Sequence, residues 1–299
     1  MSASVSRTPR FPEFSACLEL LKPVTWFAPM WGFGCGVVSS GMPASGRWGT
    51  IALGVVLAGP LVCATSQAAN DWYDRHVDAI NEPGRPIPSG RIPGSWGLYI
   101  ALFWTALSLA VAAVLGPVVL AAAVVGLALA WAYSAPPFRL KLNGWLGNLA
   151  CGACYEGLAW VTGAAVMAGG IPNGRILAAA ALYSLGAHGI MTCNDFKSIE
   201  GDAAMGVRSL PVQLGVKRAA VVACATMAIA QAAMIALLLL WGRPWHAGAV
   251  GALLLVQERL MTRYLREPRR LAPWYQGTGT TLYVLGMMAT ALAIAGIPS

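Results

Sequence analysis

Long apolar runs separated by short polar segments extend along almost the whole chain. Nine of these runs approach or exceed the roughly 17–25 residues that a helix needs to cross the hydrocarbon core of a membrane. They occupy residues 24–40, 48–69, 96–115, 117–135, 145–168, 175–193, 219–241, 245–262 and 277–297. Only the pair Gly116 and Pro117 separates the third run from the fourth, which predicts a tight helical hairpin. The pattern predicts an all-α membrane protein with about nine transmembrane helices.

The composition agrees with this pattern. Charged residues make up 11% of the 299 residues and hydrophobic residues 57%, whereas soluble domains carry about 25% charged residues. The seven cysteines are an odd number and lie mostly within apolar runs, so they predict no disulfide framework. We interpret the isolated CxxC motif of Cys151 and Cys154 as small packing residues in a helix. We expect one membrane domain over residues 24–299, preceded by an N-terminal segment, residues 1–23.

Basic residues are distributed unevenly between the two sides of the predicted membrane. With the N-terminus in the cytoplasm, 17 of the 20 Lys and Arg residues fall in cytoplasmic segments, and the other three are Arg47, Arg175 and Arg243. Such an excess is typical of cytoplasmic loops, so we expect the N-terminus inside and the C-terminus outside. A cleaved signal peptide is discounted, because eight remaining spans would place both termini on one side. The net charge of +8 indicates attraction to anionic inner-leaflet lipids rather than to nucleic acid.

The N-terminal segment contains its own helical pattern. Phe14, Cys17, Leu18 and Leu21 follow the i, i+3, i+4, i+7 spacing of one helix face. We therefore expect a short amphipathic helix lying on the inner surface of the membrane. The pattern does not point to a particular protein partner.

All five aspartates of the chain lie in two short stretches, where the second and sixth apolar runs end. The stretches read N-D-x-x-D-x-x-x-D and N-D-x-x-S-x-x-x-D, with polar positions Asn70, Asp71, Asp74, Asp78, Asn194, Asp195, Ser198 and Asp202. Positions i, i+3 and i+7 share one face of a helix, where like charges repel. Ordinary solvated helix ends would instead show scattered acids with basic partners four residues away.

A divalent cation would relieve this repulsion. Mg²⁺ takes one or two carboxylates and completes its shell with water and substrate phosphate. We therefore predict that the two stretches face each other and that every polar position in them except Ser198 ligates Mg²⁺. We expect Asp71, Asp74 and Asp195 to be essential for catalysis.

Basic residues follow or interrupt both stretches. The predicted diphosphate-binding residues are Arg85, Arg91, Arg139, Lys141, Lys197 and Arg208, because guanidinium and ammonium groups bind phosphate oxygens. For any one of them, a role limited to membrane orientation is an open alternative. An apolar cavity capped by such a site suits a polyprenyl diphosphate, whose departing diphosphate the metal would stabilise.

Four stretches together resemble a known family. They are "LLKPVTWFAPMW" (20–31), "NDWYDRHVDAINEPGRPIPSG" (70–90), "YSAPPFRLKLNGWLGN" (133–148) and "NDFKSIEGDAAMGVRSLPVQLG" (194–215). They are similar to the UbiA superfamily of intramembrane prenyltransferases, and within it to the chlorophyll synthase and bacteriochlorophyll synthase branch. The resemblance runs from about residue 22 to the last helix and implies a helix bundle around a central cavity.

The resemblance also implies a reaction, the esterification of a chlorophyllide or bacteriochlorophyllide propionate with geranylgeranyl or phytyl diphosphate. It implies a bacterial inner (intracytoplasmic) membrane location, with the active-site loops on the cytoplasmic side. Ser198 replaces an aspartate that quinone-prenylating relatives generally carry, as it does in the pigment-synthase branch. The role of Glu200 is open. The alternative within the family is a quinone or haem precursor as the acceptor.

Several residues within or beside the apolar runs are candidates for a pigment and tail pocket. They are Trp26, Phe27, Trp31, Glu156 and His188. Glu156 is the one acid predicted well inside a span, and such residues are often functional. A satisfied interhelical hydrogen bond for Glu156, and ordinary packing for His188 and the aromatic residues, are the structural alternatives.

Two other classes of protein are less consistent with the sequence. A cation channel or transporter would place its acids near the bilayer midplane, whereas both aspartate stretches lie where spans end. A pigment-binding scaffold without catalysis would leave the paired aspartate stretches unexplained. The prenyltransferase therefore remains the preferred interpretation.

Overall fold

A chain segment inside lipid must satisfy its backbone N–H and C=O groups without water, and a helix does so within itself. The structure, a computed structural model, describes residues 11–297. Within this range the chain is helical, without a β-sheet. Its α-helices are α1 (Phe14–Leu21), α2 (Phe27–Ser39), α3 (Trp48–Asn81), α4 (Trp96–Leu115), α5 (Pro117–Ser134), α6 (Gly144–Ala168), α7 (Gly174–Asp195), α8 (Ile199–Ala204), α9 (Leu210–Leu214), α10 (Val216–Leu240), α11 (Pro244–Tyr264) and α12 (Pro268–Ala295). The predicted all-α membrane fold is confirmed.

Seven of the helices in the described range are long and apolar enough to cross a membrane. The two predicted spans outside this group are α2, which has only 13 residues, and α11, whose C-terminal half carries charged side chains. The number of membrane crossings therefore stays a prediction, as does the side on which the N-terminus lies.

Two helix ends differ most from the predicted boundaries. Helix α3 continues twelve residues past the predicted end at residue 69, and α12 begins at Pro268 rather than at residue 277. Hydropathy locates the apolar part of a helix, whereas a polar helical extension beyond lipid keeps the same backbone hydrogen bonds. In α3 this extension carries the first aspartate stretch out of the apolar region as continuous helix.

Helices α3 and α6 each contain a π-helical segment, Leu57–Cys63 and Ala153–Leu158. The first contains Pro60, which has no N–H to donate and so loosens the regular hydrogen-bond ladder. The indole Nε1 of Trp104 donates to the Pro60 carbonyl at 3.0 Å. Such segments often occur at functional sites because the extra residue turns side chains to a new direction.

Helix α1 matches the predicted N-terminal helix and packs beside α3. Leu20 and Leu21 are buried, whereas Phe14 and Leu18 are exposed, so only part of the predicted apolar face packs against the bundle. Residues 1–10 of the predicted N-terminal segment lie outside the described residues. The location of α1 at a membrane surface stays a prediction.

The contact between α2 and α6 is unusually close because glycines face backbone atoms. A Cβ atom added to Gly36 would lie 2.0 Å from the Trp160 carbonyl oxygen, and one added to Gly163 would lie 2.0 Å from the Phe33 carbonyl oxygen. Small residues at helix contacts let backbones approach in membranes. Trp160 also donates a hydrogen bond from Nε1 to Ser39 Oγ at 2.9 Å. This contact holds α6, a wall of the central cavity, against α2.

We expect Gly163→Ala to destabilise the protein by about 1–3 kcal/mol, the usual cost of overpacking. The matched control is Gly34→Ala on α2, because nothing lies within 4 Å of a Cβ there and alanine favours a helix. Thermal unfolding in detergent should show a lower Tm for Gly163→Ala and an equal or higher Tm for the control. Equal losses in both variants would contradict the close contact.

The second half of the bundle has a polar network among buried rings. Gln231 donates to Gln257 at 2.7 Å, and Gln257 donates to the hydroxyl of Tyr275 at 3.0 Å. These residues connect α10, α11 and α12, and all three are fully buried. Hydrogen bonds between helices stabilise bundles in lipid. They position α12 as one wall of the cavity.

Candidate functional site

A cavity of about 1330 Å³ lies at the end of the bundle where α3 and α7 finish. Polar side chains line its mouth, and apolar side chains from α2, α7 and α12 line its deeper part, including Trp31, Ile190, Val284, Leu285 and Met287. The cavity is therefore amphipathic, with room for a large ligand.

The first aspartate stretch contributes three polar side chains to the mouth: Asn70, Asp74 and Asp78. Their spacing of four residues brings them to one face of the long α3 helix. Asp74 accepts hydrogen bonds from Asn70 Nδ2 at 3.0 Å and from Lys141 Nζ. Asp78 accepts one from Arg85 Nη1 at 2.9 Å. The carboxylates are thus held in place by groups from three parts of the chain.

Asp71 has a different position, although it belongs to the same stretch. It is 2% exposed and lies outside the cavity lining. Its Oδ1 is 2.6 Å from Lys22 Nζ and 3.5 Å from Arg85 Nη1. The expected common face of three aspartates therefore holds for Asp74 and Asp78, while Asp71 turns toward the segment that joins α1 to α2.

The second stretch also reaches the mouth, but not as one helix. Helix α7 ends at Asp195 and a new helix starts at Ile199, so the i, i+3, i+7 spacing of the first stretch does not apply here. Ser198 lies in the turn between them, and its Oγ donates to Asp202 Oδ2 at 3.0 Å. Asp195 accepts a hydrogen bond from Asn148 Nδ2 at 3.1 Å. The turn folds the stretch back, and all four of its motif positions line the cavity: Asn194, Asp195, Ser198 and Asp202.

Four of the predicted diphosphate-binding residues line the mouth: Arg85, Arg139, Lys141 and Lys197. Lys141 lies in the short turn Leu140–Leu142, and burial lowers the pKa of its ammonium group while the Asp74 carboxylate opposes this shift. Arg85 donates from Nε to Glu82 at 2.6 Å, and this hydrogen bond lowers the pKa of the Glu82 carboxyl.

The other two predicted diphosphate-binding residues lie outside the cavity lining. Arg91 Nη1 is 2.8 Å from Glu19 of α1, so this side chain connects the loop after α3 to the N-terminal helix. Arg208 acts through its backbone, which accepts a hydrogen bond from Gly144 N at 2.8 Å and donates one to the Leu142 carbonyl at 2.9 Å. Both residues hold loops together around the mouth.

The donor set at the mouth fits Mg²⁺ bound together with a diphosphate. Its aspartates are Asp74, Asp78, Asp195 and Asp202, with Glu82 beside Arg85, and oxygen ligands of this kind suit a hard cation. Within residues 11–297 no three His, Cys, Asp or Glu side chains converge on a single point as in a closed protein cage. Mg²⁺ sites commonly use one or two carboxylates and take their remaining ligands from water and substrate phosphates.

The predicted pocket residues divide into two groups. Phe27, Trp31 and Glu156 line the cavity, and the ring centroids of Phe27 and Trp31 lie 5.8 Å apart with an interplanar angle of 28°. Trp26 instead donates from Nε1 to the Leu21 carbonyl at 2.9 Å, which fixes the turn before α2. His188 is buried outside the lining and stacks on Trp145, with ring centroids 5.4 Å apart.

Sequence reasoning missed three residues that shape the mouth. Asn148 holds Asp195, Lys22 holds Asp71, and Tyr155 accepts from Gln67 Nε2 at 3.2 Å in the cavity wall. A polar side chain inside an otherwise apolar run is the signal that could have marked Asn148. No local pattern points to Lys22.

Glu200 has a structural contact rather than a place at the mouth. It lies outside the cavity lining and pairs with Arg269 near the start of α12, with Arg269 Nη2 2.6 Å from Glu200 Oε2. The Arg269 hydrogen bond lowers the pKa of this carboxyl. The contact joins α8 to α12, and because both side chains are exposed it contributes little to stability.

Comparison with known proteins agrees with this architecture. The model of the UbiA prenyltransferase family matches residues 25–276. The chain is 58% identical to the Bacteriochlorophyll synthase 33 kDa chain of Cereibacter sphaeroides over 99% of both chains. It is 40% identical to the chloroplastic chlorophyll synthase of Arabidopsis thaliana, over 92% of this chain and 73% of that one.

A solved structure shows the same fold. The UbiA homolog from Archaeoglobus fulgidus bound to GPP and Mg²⁺ superposes with a TM-score of 0.72 at 22% identity, over 91% of this chain and 99% of that chain. Because the sequence identity is only 22%, this comparison shows that the two proteins share a fold and nothing further. The family model and the close relatives extend over nearly all of the helices that surround the cavity. The chain therefore belongs to the UbiA prenyltransferase family, and the protein is a membrane prenyltransferase enzyme.

Proposed function

We propose that this enzyme esterifies the propionate of bacteriochlorophyllide with geranylgeranyl or phytyl diphosphate and releases diphosphate. The observation that carries the proposal is the convergence of both aspartate stretches on the mouth of one large, deep and apolar cavity. The choice of acceptor is supported by the relative of 58% identity, whose name is bacteriochlorophyll synthase, against 40% for the chlorophyll synthases. A chlorophyllide is the related acceptor that the same cavity would also suit.

In this proposal Asp74, Asp78, Asp195 and Asp202 would hold Mg²⁺, with Asn70 and Asn194 beside them. When bound, the metal neutralises the diphosphate and so makes it a better leaving group. The assignment is supported by the oxygen-rich lining of the mouth. Asp71, expected from sequence to be catalytic, is proposed instead to hold Lys22 and Arg85 in place.

The chain's own cations provide the rest of the diphosphate site. Arg85, Arg139, Lys141 and Lys197 line the mouth, where guanidinium and ammonium groups bind phosphate oxygens. Two of them already form ion pairs with carboxylates, Arg85 with Asp78 and Lys141 with Asp74. These pairs fix the side chains in position before the diphosphate arrives.

The acceptor propionate needs little activation by the protein before it reacts. A propionate is ionised at neutral pH, since carboxylic acids of this kind have a pKa of about 4–5. Its oxygen forms the ester bond to the allylic carbon as the bond from that carbon to the diphosphate breaks. The apolar walls exclude water, which would otherwise capture the allylic carbon. A strong general base is therefore not required.

We further propose that the mouth faces the cytoplasm and that the protein lies in a bacterial inner membrane. The distribution of basic residues supports this side, because the loops that build the mouth belong to the segments that hold 17 of the 20 Lys and Arg residues. The diphosphate substrate would then enter from the cytoplasm, and its tail would lie among the helices.

The test is a matrix of donors and acceptors with the purified protein in detergent. Geranylgeranyl and phytyl diphosphate are each combined with bacteriochlorophyllide, chlorophyllide and a quinone precursor, and both the prenylated product and pyrophosphate are measured. We expect ester formation with bacteriochlorophyllide and pyrophosphate release in equal amount. Prenylation of the quinone precursor alone, with no pigment ester, would overturn the proposal.

A further inference from the structure

Glu156 is an acidic residue in the wall of the cavity, and it has no role in the proposed binding of Mg²⁺ and diphosphate. It lies in the π-helical segment Ala153–Leu158 of α6, lines the cavity and is 4% exposed. Its Oε2 atom is fully buried and has no hydrogen-bond partner among the described residues. None of the ion pairs found within residues 11–297 includes it.

A side chain of this kind is costly to keep in a membrane. Burying a polar group without a hydrogen bond destabilises the protein, and burying an unpaired charge does so far more. A carboxyl that stays neutral in such a place has one O–H donor and a carbonyl acceptor to offer. The unsatisfied hydrogen-bonding capacity of the Glu156 carboxyl is therefore a feature that a bound ligand would satisfy.

The depth of Glu156 separates it from the diphosphate site. Asn148 contacts Asp195 at the mouth, and Glu156 follows eight residues later on the same helix. At a rise of about 1.5 Å per residue, Glu156 lies about 12 Å deeper in the bundle. This distance is comparable to the width of a tetrapyrrole macrocycle.

Of the two substrates, only the tetrapyrrole acceptor can form a hydrogen bond with the Glu156 carboxyl. The diphosphate of the donor is held at the mouth, and an isoprenoid tail has no atom that forms a conventional hydrogen bond. A tetrapyrrole acceptor has carbonyl groups on its rim. When its propionate is at the mouth, the opposite side of the ring reaches toward Glu156. The aromatic side chains of Phe27 and Trp31 line the same cavity.

We propose that Glu156 donates a hydrogen bond to a rim carbonyl of the tetrapyrrole acceptor, on the side of the macrocycle away from the esterified propionate. This inference rests on the proposed function, and it makes Glu156 a residue that determines acceptor specificity. A site built to hydrogen-bond a substrate group rejects analogues that lack the group, because its own polar atom is then left unpaired.

The test compares Glu156→Gln, which keeps an N–H donor, with Glu156→Met, which keeps the approximate volume and removes the donor. We expect Glu156→Met to raise the KM for the pigment about tenfold and to leave the KM for the prenyl diphosphate unchanged, and Glu156→Gln to stay within about threefold of the wild type. An acceptor analogue with the rim carbonyl replaced by CH₂ should lose affinity for the wild type but not for Glu156→Met.

Infrared spectroscopy of the bound pigment gives a readout that is independent of turnover. In the wild type and in Glu156→Gln the rim carbonyl stretch should shift to lower frequency on binding, and in Glu156→Met it should return to the position of a free carbonyl. Thr281→Val is the matched control. Thr281 lines the same cavity, but its hydroxyl already donates to the Gly277 carbonyl at 3.1 Å, so this variant should leave the pigment band unchanged.

The outcomes separate the two proposals. An unchanged carbonyl band together with an unchanged pigment KM in Glu156→Met would overturn the role of Glu156 and leave the esterification intact. A wild-type protein that forms no pigment ester would overturn the proposed function itself. A higher KM for both substrates, or a lower Tm, in Glu156→Met would indicate a structural role and would also overturn the inference.

Discussion

Chelation of divalent cations with EDTA is expected to lower pyrophosphate release by at least about 1000-fold, in line with the large contribution of metals to leaving-group stabilisation. Four aspartates and Glu82 line the mouth together with four cations. Arg85 and Lys141 already neutralise Asp78 and Asp74, so the side chains leave no net positive charge to bind a diphosphate without a metal. Pyrophosphate release measured before and after chelation, in the presence of both substrates, checks the expectation.

The control for chelation is recovery of activity with excess Mg²⁺. The fold should survive treatment with EDTA, because the aspartates keep their Lys, Arg and Asn partners, and circular dichroism should show unchanged helix content. Activity that persists in EDTA at the original rate would show that the aspartate stretches do not act through a metal.

Asp195→Asn is expected to lower kcat by about 100-fold or more, the scale of loss seen when a group that stabilises transition-state charge is removed. Asp195 is held by Asn148 and lines the mouth, and none of the ion pairs in the described part of the chain involves it. Its negative charge is therefore available to a metal. Steady-state kinetics of ester formation, with thermal unfolding to verify the fold, measures the effect.

Glu200→Gln is the matched control for Asp195→Asn. Glu200 belongs to the same stretch but is exposed and pairs with Arg269 outside the cavity, so this variant should keep its activity within about twofold, as expected for an exposed ion pair. A large loss of activity in Glu200→Gln, or a fully active Asp195→Asn, would remove the second stretch from the metal site.

Hydropathy and motif spacing predicted much of the fold because the membrane restricts the choices. Lipid allows few backbone structures other than helices, so apolar runs translate directly into helices α2 to α7 and α10 to α12. The aspartate stretches were recognisable because acids are rare in this chain. All of them fall in two matched stretches, which is a signal contained in the sequence alone.

The directions of individual side chains at the mouth were not predictable in this way. Asp71 and Asp74 are three residues apart on one helix, yet Asp71 contacts Lys22, 49 residues away, and Asp74 contacts Lys141, 67 residues away. Arg91, expected to bind diphosphate, contacts Glu19 instead. Local spacing gives the face of a helix only approximately, and the neighbouring segments decide which side chain is turned toward the cavity.

The sequence by itself determined that this protein is a helical membrane protein with two acid-rich stretches where apolar runs end, because hydrophobic length and charge placement are local properties. Only the tertiary structure decided which acids share the mouth, where the second stretch breaks between α7 and α8, and that Glu156 lies deep in the cavity wall with an unpaired oxygen. These features depend on contacts between segments far apart in the chain, and their geometry is set by how the helices pack.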